Sequence, residues 1–64
     1  MPEYQVNFFW DNEAAVWIAT SHDIQGLVLE FGSLDALIER VRIAAPELLA
    51  LNGHRGQIRI THKF

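Results

Sequence analysis

The sequence predicts an α+β domain of order β-β-β-α-β: a four-stranded sheet of strand order 3-2-1-4 with one long helix on one face. Three observations carry this. Apolar residues alternate at every second position over residues 4–10 and again near the end of the chain. Short turn clusters separate three strand-like runs in the first half. From Leu34 the apolar period changes from two to that of a helix and holds for more than a dozen residues.

Tyr4, Val6, Phe8 and Trp10 alternate with Gln5, Asn7 and Phe9, the pattern of a half-buried strand. Phe9 is out of step and points to the opposite face. Asp11-Asn12-Glu13 forms the first turn, because Asp and Asn side chains bond their own backbone and tolerate positive φ. A hairpin leads into Val16–Ser21, which is apolar on both faces: Trp17 and Ala19 on one, Val16 and Ile18 on the other. His22–Gly26 is the next turn, with Gly26 suited to the positive φ that closes it. Leu27–Phe31 is the third strand.

Ser33 is a good N-cap, and Asp35 sits well against the helix dipole. Leu34, Leu37, Ile38, Val41, Ala44, Ala45, Leu48 and either Leu49 or Leu51 then recur at helical spacing. Pro46 predicts a kink or restart near Ala45. Asn52-Gly53 stops the helix. Gln57–Phe64 returns to period two as a fourth strand, expected at an edge. The intervening helix allows a crossover that lays strand 4 parallel to strand 1.

The 64 residues make a single domain, 1–64. A chain this short buries only about 60% of its unfolded surface. It has no cysteine, which removes disulfides and thiolate zinc sites as supports. Half the residues are nevertheless hydrophobic. One helix covers one face of a sheet, so the apolar residues of the other face stay open unless a partner covers them. Phe9, Val16 and Ile18 are therefore the candidate protein interface. No run reaches the ~20 apolar residues of a membrane span. Met1-Pro2-Glu3-Tyr4-Gln5 lacks the form of a signal peptide, and a cytoplasmic location is expected.

The net charge is −3, divided as −5 over residues 1–32 and +2 over residues 33–64. An acidic first half disfavours phosphate binding and suits a basic partner. The plain alternative is a solvated surface of mixed sign.

The run Val16–Glu30 resembles the strand–turn–strand of HicB-like proteins, whose usual form is an aromatic, an alternating Ala, an Asp-apolar-Pro-Gly turn and a short strand. Ser33-Leu34-Asp35-Ala36-Leu37 is similar to the helix start of that family. Ala45-Pro46-Glu47-Leu48-Leu49-Ala50-Leu51-Asn52-Gly53 resembles a short stand-alone branch described only as a domain of unknown function. The resemblance covers nearly the whole chain. It implies a truncated ribonuclease H-like sheet. It also implies a domain that binds and blocks HicA, a small basic RNA-cleaving toxin. It places Trp17 and Ala19 under the helix. Two departures are read: Gln25 occupies the usual Pro position, and the family's DNA-binding segment is expected to be absent. Direct DNA binding is therefore not expected.

A ribonuclease H-like active site needs carboxylates converging on magnesium. Asp11, Glu13 and Asp23 fall in turns, Asp35 at a helix start, and only Glu30 within a strand, so turn and cap chemistry accounts for most of them. His22, His54 and His62 share no metal-ligand spacing. Adjacent Ser21-His22-Asp23 cannot align in series as nucleophile, base and orienter. Arg55, Arg59 and Lys63 read as solubilising edge charge, and direct nucleic-acid binding is not expected. The sequence therefore predicts no catalytic residues, no metal and no cofactor, and no enzyme. It predicts a protein-binding module of the antitoxin type, whose partner is a small basic protein or a second copy as a homodimer. A self-associating structural domain is the alternative, and a metal-dependent nuclease a remote one.

Overall fold

The structure, a computed structural model, describes residues 3–54, 56 and 58–64. The sequence-based readings at Met1, Pro2, Arg55 and Gln57 lie outside these residues. Five elements follow in chain order: β1 (Glu3–Asp11), β2 (Val16–Thr20), β3 (Val28–Phe31), α1 (Leu34–Leu51) and β4 (Arg59–Lys63). The sheet order is β3-β2-β1-β4, with β1 antiparallel to β2, β2 antiparallel to β3, and β4 parallel to β1. This is the predicted topology, with β4 at an edge.

Register sorts the side chains. Phe8 pairs with Ala19, Trp10 with Trp17, and Ala19 with Leu29. On the other edge Tyr4 pairs with Ile60 and Val6 with His62. These residues share the face toward α1. The core lies between them and the Leu37, Val41, Ala45 and Leu49 stripe, one helical turn apart and all buried. The choice left open between Leu49 and Leu51 falls to Leu49, since Leu51 is 81% exposed. Trp17 is half-buried against the core, edge-on to Trp10 at 5.7 Å between ring centres.

Both helix ends are closed by the residues the sequence offers for it. The Ser33 hydroxyl accepts the Ala36 N–H at 3.4 Å. At the other end Gly53 has φ +86; its N–H donates to the Ala50 carbonyl and the His54 N–H to the Leu49 carbonyl. These two bonds together form a Schellman motif.

At Pro46 the restart near Ala45, one of the two expected forms, does not occur: the helix runs unbroken from Leu34 to Leu51. Proline removes the N–H that would bond the Arg42 carbonyl. Arg42 and Pro46 are both exposed, which leaves the freed carbonyl on the solvent side, while Ala45 and Leu49 on the adjoining buried stripe hold the helix to the sheet.

Candidate protein-binding face

The face of the sheet away from α1 carries the odd-numbered residues of β1 and β4 and the even-numbered residues of β2 and β3. Phe9 pairs with Ile18, and Ile18 with Glu30, so these three form one row across the sheet. The next row is Lys63, Asn7, Thr20 and Val28. Asp11 and Val16 form a third. The three candidate interface residues, Phe9, Val16 and Ile18, thus lie together on one face.

A fourth apolar residue joins them. Val28, on β3, is 67% exposed and extends the strip to the sheet edge; Phe9 is 47% exposed. Sequence reading missed Val28 because its face depends on the register of β3. The signal was present in Val28-Leu29, two apolar residues in succession in a four-residue strand.

Among the described residues, this face carries cations only on the β4 edge and acidic residues on β3 and β1, Glu3 among them. Glu30 lies on β3, at one side of the apolar strip. Arg59 and Lys63 lie on β4, at the other side, paired with Glu3 and Asn7. Asp11 sits at the hairpin end of β1.

A second concave feature lies at the end of the molecule where the helix stops. Tyr4, Asp23, Gln25, Leu49, Asn52, Gly53 and His54 line an open cleft of about 360 Å³. Tyr4 and His54, fifty residues apart, meet there: the tyrosine hydroxyl lies 2.8 Å from His54 Nδ1, with the rings edge-to-face. The Asp23 and Asn52 side chains are engaged in structural bonds. The Asp23 carboxylate accepts the Gln5 N–H at 2.8 Å. Asn52 Nδ2 donates to the Gln25 carbonyl at 3.3 Å, tying the helix cap to the β2–β3 turn. His54 and Leu49 are the two positions whose contact normally accompanies a Schellman motif. The cleft is thus the outer side of a helix stop.

The Ser21-His22-Asp23 run has a structural task. The Ser21 hydroxyl donates to the Gln5 carbonyl at 2.6 Å and accepts the N–H groups of Asp23 and Ile24, each at 3.1 Å. With the Asp23 carboxylate on the Gln5 N–H, two side chains take both backbone groups of residue 5. The β1–β2 ladder ends at Asn7 and Thr20, and these side chains supply one further rung. This tether lets the connection carry Ile24 and Leu27, buried to 0% and 2% exposure, into the core. Leu27 lies just before β3 rather than within it.

The turn itself is Ile24-Gln25-Gly26-Leu27, closed by a 3.3 Å bond from the Leu27 N–H to the Ile24 carbonyl, with Gly26 at φ +88. Positive φ at the third position is the type II pattern, which requires glycine there. In the β1–β2 turn the Asp11 carboxylate accepts the Glu13 and Ala14 N–H groups, as its residue type predicts. The positive φ of +56 falls on Ala15, outside the Asp11-Asn12-Glu13 cluster.

The remaining ionisable residues are spread over the molecule. Glu13 occupies the hairpin turn and Asp35 the first turn of the helix; His22 is exposed in its turn, and His62 lies exposed on β4 beside Phe8. Among the described residues no group of three or more His, Asp or Glu stands close enough to hold a metal ion. Among them, too, no helix is long and apolar enough to cross a membrane.

Residues 3–64 match the profile of a family described as Domain of unknown function (DUF1902). The chain belongs to this family. Among solved structures, this DUF1902 chain is similar to a hypothetical protein, TTHA1013, from the extremely thermophilic bacterium Thermus thermophilus. The identity is 33% and the TM-score 0.84, over 95% of this chain and 89% of that one. No curated protein matches the sequence.

Proposed function

We propose that this DUF1902 chain is a small, non-catalytic protein-binding module that works through the open face of its sheet. One observation carries the reading. Phe9, Ile18, Val16 and Val28 form a contiguous apolar strip over three adjacent strands, on the face that α1 leaves uncovered. An exposed patch of this kind, rimmed by charges, is the usual mark of a protein contact.

The HicB-like pattern of Val16–Glu30 supports the same class of function, a domain that acts by engaging another polypeptide, and it makes a small basic toxin one partner to test. The absence of catalysis is supported by how the polar side chains are used. Ser21, Asp23 and Asn52 hold backbone groups, and the carboxylates are dispersed over turns, strand and helix start.

The test is site-directed photo-crosslinking in the native host, with p-benzoylphenylalanine in place of Phe9 and, as a control, of the exposed helix residue Arg40. The expected result is a polypeptide adduct from position 9 that Ile18→Glu abolishes, with none from position 40. An adduct-free position 9 in folded protein rejects the reading.

A further inference from the structure

Resting on the reading of this face as a protein contact, we infer that its occupant is a second copy of this chain. The two copies pack face to face about a two-fold axis parallel to the strands. The charge layout selects both the partner and the axis. Glu30 stands on β3 and Arg59 and Lys63 on β4, at opposite sides of the same face, with the apolar strip between them. A two-fold axis along the strands exchanges left and right. It lays β3 of one copy over β4 of the other and β2 over β1.

Glu30 then faces the Lys63 end of the second copy's β4, one row away along the strands. Ile18 faces the second copy's Phe9, and Phe9 its Ile18, so four large apolar side chains meet at the centre. The other in-plane axis, perpendicular to the strands, sets β4 over β4 and brings Arg59 and Lys63 against their own counterparts. Like charges facing one another disfavour that arrangement. An isologous contact needs a self-complementary surface, and here the Phe9 and Ile18 pair and the Glu30 and Lys63 ends supply the complementary sets.

The size of the face fixes the regime. Four strands about 4.8 Å apart and about five residues long give a plate of roughly 19 by 17 Å. Two such plates make a contact at the small end of specific interfaces, with reversible dissociation expected near micromolar or weaker. The sheets settle about 30° apart, as twisted sheets do.

The experiment is sedimentation equilibrium on the intact chain from about 10 µM to about 1 mM. The wild type is expected to approach twice its 7.3 kDa mass with rising concentration. Phe9→Glu should remain monomeric. Glu30→Lys and Lys63→Glu should each weaken association roughly tenfold, by turning two symmetric attractions into repulsions. The double variant Glu30→Lys/Lys63→Glu should return to within about threefold of wild type, a rescue that a merely damaged fold cannot give. Circular dichroism confirms that each variant is folded.

A dimer indifferent to Phe9→Glu and to both charge reversals overturns the proposal, because it pairs through another surface. A monomer at every concentration whose position 9 still crosslinks to a different polypeptide overturns self-pairing but leaves the face as a protein contact. A monomer with no adduct overturns both.

Discussion

Replacing Ala15 by glycine should stabilise this protein, although it removes a side chain and loosens the unfolded chain. Ala15 closes the β1–β2 hairpin at φ +56, in the left-handed region, and is exposed. Holding an L-residue with a Cβ there costs about 1–2 kcal/mol, a cost glycine does not carry. Glycine loses about 0.4–1 kcal/mol through extra freedom when unfolded. The expected net gain is about 0.5–1 kcal/mol. Unfolding entropy near 2.1 cal/mol/K per residue gives roughly 0.13 kcal/mol/K for this chain, so the midpoint should rise by about 4–7 °C.

The reverse exchange serves as the internal control. Gly26 has φ +88, and a Cβ there would meet only Leu48 Cδ2 at 3.6 Å, an ordinary contact. Gly26→Ala therefore tests backbone strain with little crowding and, by the same terms, should lower the midpoint by about 4–7 °C. Thermal unfolding followed by far-ultraviolet circular dichroism measures both. If Ala15→Gly lowers the midpoint while Gly26→Ala also lowers it, the left-handed assignment of residue 15 is wrong and the hairpin closes by another turn.

Gln25→Pro should add about 0.4–1 kcal/mol, because position 25 is the second residue of a type II turn, where proline pre-sets φ; urea titration would show a higher midpoint at unchanged slope. Ser21→Ala should cost about 1–2 kcal/mol, because it strips partners from the Gln5 carbonyl and from the Asp23 and Ile24 N–H groups. Its amide-exchange signature is faster exchange at residues 23 and 24, with β1 and β2 little changed, and uniform acceleration would refute the local tether. Leu37→Ala, at a position with no exposed surface, should cost about 2–5 kcal/mol. That is a large share of the roughly 3–10 kcal/mol expected for a chain of this length, so the variant should be partly unfolded at room temperature. A fully cooperative variant with wild-type midpoint would show that the helix does not anchor through this residue.

The elements, and the faces of all but the third strand, are legible in local pattern. Alternation over Tyr4–Trp10 and the 3.6-residue recurrence from Leu34 are local signals, since each element must bury one side. Ser33, Gly26 and Asn52-Gly53 act within a turn of themselves, so they too were legible. The out-of-step Phe9 and the two-sided Val16–Ile18 run already pointed to an open apolar face.

Register and the contacts between distant side chains come from the tertiary structure. Val28 joins Phe9 and Ile18 because antiparallel register brings strands 2 and 3 into step. Tyr4 meets His54 across fifty residues because β4 returns parallel to β1. The helix continues through Pro46 because packing on its buried side outweighs one lost bond on its wet side. Glu30 and Lys63 occupy opposite edges of one face because register, which no local pattern of charge encodes, turns both to the side away from the helix in a strand order the sequence already predicts.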